Sequence, residues 1–104
     1  MLRNPFETIW GRIRDLEGRE FETITHLPFT YSLESGTTVW VNREGRRINQ
    51  SLAKSNFAQV YSYMQDGLIS RPSEINEVAI ERRESQVRGP YYVWAILHDG
   101  RVIR

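Results

Sequence analysis

Six residues between positions 40 and 54 carry side chains suited to gripping a polyanion: Trp40, Asn42, Arg43, Arg46, Arg47 and Lys54, with Glu44 the only acid near them. An outward aromatic stacks on a nucleobase, worth about 1–3 kcal/mol per base, and guanidinium groups hold phosphate. If Arg43, Arg46, Arg47 and Lys54 each met a phosphate of duplex DNA, the log–log salt slope of binding would be about −3 to −4. The competing explanation is a solvated hairpin end in which arginine stems cover Trp40 as an intramolecular cation–π pair. No recognised DNA- or RNA-binding motif accompanies the cluster.

Other chemistries find less support. Hydrolysis needs a nucleophile, a base and a group that orients the base. The two histidines are His26, beside a proline turn, and His98, followed by Asp99. Sequence neighbours on a helix do not face each other, so His98 and Asp99 make a poor relay, and a charged His98 near a helix C-terminus fits the helix dipole. Glu20 and Glu22 lie two apart on one strand face, a spacing open to acid/base work but more simply the wet face of a sheet backed by Phe21. There is no metal-ligand spacing and no phosphate-cradling glycine loop, since Gly45 stands alone between Glu44 and Arg46. The chain has no cysteine, which removes disulfides, thiolate metal sites and a cysteine nucleophile. The expectation is a non-enzymatic protein with no cofactor and no metal.

At 104 residues, 39% of them hydrophobic and 26% charged, the chain suits one globular domain of residues 1–104. The net charge of +1 gives no whole-molecule field for polyanions. Thirteen of the fourteen cations are arginine, a bias that a GC-rich genome would also produce. The longest apolar run, residues 91–97, is far short of the roughly 20 residues of a membrane helix. The stretch Met1-Leu2-Arg3-Asn4-Pro5-Phe6-Glu7 lacks the apolar core of a signal peptide. A cytoplasmic address and no membrane partner are expected.

The elements that must position these residues follow from periodicity. Phe6, Ile9, Trp10, Ile13 and Leu16 recur on one helical face, with Asn4 as cap, Pro5 in the first turn, Glu7 at capping-box spacing and Gly18 as stop. Arg12, Arg14, Asp15 and Glu17 form its solvated face. Residues 19–25 have strand composition. Phe29, Tyr31 and Leu33, then Val39 and Val41, alternate with polar residues as a hairpin.

Loop length decides where Trp40 points, because one residue of slip flips every side chain. A two-residue loop at Ser35-Gly36 pairs Tyr31 with Trp40 and buries the indole. A three-residue loop, Glu34-Ser35-Gly36, pairs Leu33 with Thr37, Tyr31 with Val39 and Phe29 with Val41, and places Gly36 at the left-handed position. The second register gathers the apolar residues on one face and sends Trp40 outward beside Thr30. Residues 43–47 form a turn into a short edge strand at 47–49. Ser55 caps a second helix with inner stripe Phe57, Val60, Tyr61 and Met64, ended by Gly67. A short helix fits 73–78, and 81–86 is charged and exposed. Residues 91–97 fit a strand by composition or a helix framed by Gly89-Pro90 and Gly100, the helix being favoured.

Leu27-Pro28-Phe29-Thr30-Tyr31, the Ser55-Asn56-Phe57 helix start, and Arg88-Gly89-Pro90-Tyr91-Tyr92-Val93-Trp94-Ala95-Ile96-Leu97-His98-Asp99 resemble a group of small uncharacterised bacterial proteins found in mobile or accessory DNA, gene cassettes included. The likeness spans most of the chain beyond Gly18 except residues 68–86, where this chain is longer. In that group Pro often follows the last motif where Gly100 stands here, which favours the helix. The resemblance implies a genomic context; no activity or catalytic residues come with the group, so it implies nothing about mechanism.

The expected architecture is α+β: an N-terminal helix, a three-stranded antiparallel meander, and C-terminal helices packed on one sheet face. Its expected core is Phe6, Ile9, Trp10, Ile13, Phe29, Tyr31, Leu33, Val39, Val41, Phe57, Val60, Tyr61, Val93, Ile96 and Leu97. Aromatics make up 12% of the chain, and Tyr63, Tyr91 and Tyr92 fall off the inner stripes. They would suit a protein interface, including a homodimer. A ligand pocket lined by Trp10, Tyr31 and Trp94 is the third possibility, against the simpler one that these rings fill the core.

Overall fold

A computed structural model describes residues 4–104 of the chain; residues 1–3, part of the stretch read above for a leader, lie outside them. The described residues form an α+β fold of an N-terminal helix, a four-stranded antiparallel sheet in the order β1-β2-β3-β4, and C-terminal helices. The meander therefore has one strand more than expected.

Helix α1 (Phe6–Asp15) buries Ile9, Trp10 and Ile13. Asn4 does not cap it. Pro5 holds the N-cap position with no side-chain hydrogen bond, and Asn4 Nδ2 reaches across the fold to donate to the Arg104 carbonyl at 2.7 Å. Arg12 is not simply solvated either: its guanidinium donates to the Val102 carbonyl at 2.9 Å and also to that of Arg104. Both carbonyls close the last helix, α5 (Gly100–Ile103), where intrahelical donors run out.

After α1, Gly18 at φ +84° turns the chain and donates its amide to the Tyr31 carbonyl at 3.0 Å. The strand expected over 19–25 shrinks to β1 (Phe21–Glu22), paired with β2 (Pro28–Glu34) as Phe21↔Phe29 and Glu22↔Pro28. Thr23 ends it early, its carbonyl turning back to accept from the His26 amide at 2.8 Å.

Strand β3 (Thr38–Arg43) pairs with β2 as Tyr31↔Val41 and Leu33↔Val39. The register is shifted by two from the expected one. Ser35 and Gly36 both take positive φ (57° and 71°), the signature of a type I′ turn, and Thr37 is the extra residue before Thr38 pairs with Glu34. A shift of two preserves side-chain parity. Phe29, Tyr31, Val39 and Val41 are thus all buried on one face, as expected, while Leu33 is partly buried against them.

Glu44-Gly45, both at positive φ, make a two-residue turn into β4 (Arg46–Ala53), which runs well past the 47–49 segment expected. Its ladder breaks once: Asn42↔Arg47 on one side, Trp40↔Ser51 on the other. Three residues of β4 thus oppose Val41 alone. Continuing the first register would set Gln50 against Val39; the bulge sets Leu52 there instead, fully buried.

Helix α2 (Lys54–Gln65) begins one residue before Ser55, with Ala53 as N-cap. It buries Phe57, Val60 and Tyr61 as expected, and Tyr63 in place of Met64, which is only partly buried. A 3-10 turn (Pro72–Glu74) leads into α3 (Ile75–Glu81), which seats Ile75 and Ala79 in the core. The Asn76 side chain then pairs with the Val87 backbone in both directions, accepting at 2.7 Å and donating at 3.1 Å. One amide thereby holds the loop after α3 in place of a strand. Helix α4 (Pro90–His98) starts at Gly89 with φ +58°, so the 91–97 segment is a helix, with 93–97 buried.

Three tyrosines sit inside this core. Tyr31 donates to the Ile13 carbonyl at 2.5 Å, Tyr61 to that of Asn4 at 2.7 Å, and Tyr63 to Glu84 Oε1 at 2.6 Å. Burial raises the pKa of each. A raised folded-state pKa means the native state holds the phenolic proton more tightly than the unfolded chain. Stability is then full below about pH 10 and is lost as pH rises beyond it. Thermal midpoints should fall as pH rises from about 10 to 12, and Tyr31→Phe should flatten that fall. A midpoint unchanged across this range would show the three hydroxyls to be solvated.

Candidate functional site

Packing the helices on the face that carries Phe29, Tyr31, Val39, Val41 and Leu52 leaves the opposite sheet face without a helix over it. Alternation assigns that face Thr30, Ser32 and Glu34 from β2, Thr38, Trp40 and Asn42 from β3, and Arg47 and Ser51 from β4. Trp40 sits at its centre, directly across from Ser32 and Ser51. Thr30, the neighbour expected for it, pairs with Asn42. The two serines leave room beside the indole. Trp40 is half-buried, with the Arg47 guanidinium 4.7 Å from its ring centroid and Nε1 donating to Glu34 Oε1 at 3.3 Å.

The structure divides the six residues singled out from the sequence. Trp40, Asn42 and Arg47 share the open face. Arg43 and Arg46, paired across the turn, have the opposite parity. Arg43 passes to the helix side and donates to the Tyr92 hydroxyl at 3.2 Å; Tyr92 in turn meets Phe29 edge-on at 5.0 Å. Arg46 stays exposed at the hairpin end. Lys54 lies at the far end of the sheet, its amide on the Thr37 carbonyl (2.9 Å). There Lys54 Nζ meets Glu7 at 3.2 Å and lies 5.7 Å from the Trp10 ring centroid. It is not part of the cluster.

A second concavity was not visible in the sequence. It is a cleft of about 430 Å³ between β1 and α4, whose lining includes Glu20, Glu22, Ile24, Trp94, His98 and Arg101. The His98 imidazole stacks on Trp94 at 4.9 Å and 14° between planes. Asp99 is taken by Arg101 through three 2.9 Å hydrogen bonds, from its amide, Nε and Nη2. That pairing holds the Asp99 carboxyl below its ordinary pKa and raises the guanidinium. Arg101 also donates to the Glu20 carbonyl at 2.9 Å and lies 4.4 Å from the Phe21 ring centroid. Asp99 therefore anchors an arginine and does not orient His98. His26, at positive φ in the β1–β2 turn, faces Glu22 at 3.4 Å.

Trp10, Tyr31 and Trp94 do not line a common pocket; each is buried among core side chains. Of the tyrosines considered for an interface, Tyr63 is buried, its hydroxyl held by Gln59 and Glu84. Tyr92 is partly buried and Tyr91 is 47% exposed. Among the described residues no group of three or more His, Asp or Glu could hold a metal ion, and no helix is long and apolar enough to cross a membrane.

No family model, curated protein or solved structure matches the chain.

Proposed function

We propose that this chain binds single-stranded nucleic acid through the helix-free face of its sheet, with Trp40 as the stacking platform, Arg47 beside it as a phosphate contact, and Arg46, exposed at the adjoining hairpin end, as a second. The observation that carries the proposal is Trp40 at the centre of the open face, flanked by two serines, with the Arg47 guanidinium against its ring and Glu34 at its Nε1. An open sheet face with one aromatic suits an unpaired base, which can splay out and stack, better than a duplex groove. Arg47 need not leave, because a guanidinium plane stacks on a base as well as on an indole. Asn42, beside Arg47 on the same face, offers an amide to a base edge.

Trp40→Ala should weaken binding of a labelled single-stranded oligonucleotide about 10- to 100-fold while leaving the thermal midpoint nearly unchanged. Equal affinity of wild type and Trp40→Ala would remove the stacking platform. The Arg47–Trp40–Glu34 group would then be an intramolecular arrangement of the sheet surface.

A further inference from the structure

Strand β1 is an edge of the sheet, and its free side opens into the cleft beside α4. Pairing parity shows which backbone groups are free. Thr23 donates its amide to the carbonyl of Leu27, the residue before β2, at 3.0 Å, so Phe21 and Thr23 turn their amides toward β2, whereas Glu20 and Glu22 turn theirs away. Two facts agree. Glu22 stands opposite Pro28, which has no amide to give, and the Glu20 carbonyl is met from outside the sheet by Arg101.

The result is a short edge, capped by Arg101 at Glu20 and unpaired at Glu22, facing a helix across a cleft of about 430 Å³. Trp94 and Ala95 form the apolar floor and Ile24, 53% exposed, stands at the rim. Unpaired edges that are not blocked by proline, a bulge or a covering segment are templates for strand addition.

The charge of the cleft selects the occupant. Asp99 and Arg101 neutralise one another. Glu20 has no ion pair among the described residues, and Glu22 has only His26. We propose that β1 and α4 form a docking groove for an extended basic peptide segment of a partner protein, added beside β1 at Glu22, next to the Glu20 carbonyl that Arg101 occupies. Its backbone pairs with the Glu22 amide and carbonyl, an apolar side chain enters between Ile24 and Trp94, and flanking Lys or Arg residues face Glu20 and Glu22. This site is separate from the open sheet face and stands or falls independently of nucleic-acid binding.

The probe is a labelled decapeptide of alternating Lys and Val, with an alternating Glu and Val peptide as comparison, titrated against the full chain while amide hydrogen exchange is followed by NMR. The Lys/Val peptide should bind, the Glu/Val peptide should not, and the Glu22 amide should exchange about tenfold more slowly in the complex. Glu22→Pro removes that donor at a position whose amide the sheet does not use, and should abolish binding. Should that variant fail to fold, the double change Glu20→Gln, Glu22→Gln keeps the backbone and should still weaken binding several-fold. Absence of Lys/Val binding, equal binding of the acidic peptide, or binding that leaves Glu22 exchange unchanged would each overturn the groove.

Discussion

Replacing Trp10 with alanine should cost the fold about 3–5 kcal/mol, a large part of the roughly 5–15 kcal/mol available to a domain. Trp10 is 2% exposed and is the pin that holds α1 to the rest of the molecule. Its ring packs on Phe57 of α2 at 5.5 Å and on Phe6 at 6.1 Å. Its indole Nε1 donates to the Gly36 carbonyl in the β2–β3 turn at 3.2 Å. Truncation opens a cavity where helix, helix and hairpin meet, and removes the indole hydrogen bond that ties the turn to α1. Urea unfolding of Trp10→Ala beside Trp40→Ala checks this, since Trp40 lies outside the core and its removal should change stability far less. Similar losses for both would mean that α1 is not docked through Trp10.

Gly89→Ala is expected to be nearly as damaging, at about 2–4 kcal/mol. Gly89 begins α4 at φ +58°, a region where a Cβ brings strain by itself. A Cβ there would also lie 2.7 Å from Leu52 Cδ2 and 3.0 Å from Gln50 Nε2. Leu52 is fully buried and is the residue that the β4 bulge delivers to the core, so it has nowhere to retreat. Gly45 provides the control: its φ is +76°, yet nothing lies within 4 Å of a Cβ added there. Gly45→Ala should therefore show the strain alone, about 1–2 kcal/mol. The difference in thermal midpoint between the two variants measures the α4–β4 contact. Equal midpoints would show that α4 does not press on β4.

Features legible in the sequence were those set by periodicity. The stripe Ile9, Trp10, Ile13 placed α1, and the alternation around Tyr31 and Val39 settled which way Trp40 faces. The exact register did not follow, because registers differing by two put the same residues on the same face. Strand β4 was understated because residues 46–51 are almost wholly polar, and it is the bulge that slides Leu52 along the inner face to a place opposite Val39. Nor does hydrophobicity reveal the Asn76–Val87 pairing, a tertiary use of an amide.

The site was half legible for a related reason. Grouping basic residues by closeness along the chain ignores that neighbours on a strand point to opposite faces. Arg43 consequently went to Tyr92, and Lys54, at the far end of β4, to Glu7. The β1–α4 cleft was hidden because its lining comes from separated stretches, around Glu20, Ser70 and Trp94.

Binding of single-stranded nucleic acid is proposed for the open face, through Trp40 and Arg47, with Arg46 at the adjoining hairpin end. Its most direct test is fluorescence anisotropy of a labelled single-stranded oligonucleotide titrated with the protein at about 50 and 200 mM salt. Two phosphate contacts predict a log–log slope of about −1.4, hence about a sevenfold loss of affinity over that range, shallower than four contacts on duplex would give. Saturable binding with that slope, lost in Trp40→Ala and reduced toward zero slope in an Arg46→Ala, Arg47→Ala variant, is the expected result. No binding at the lower salt, or a slope indifferent to both arginines, would contradict it.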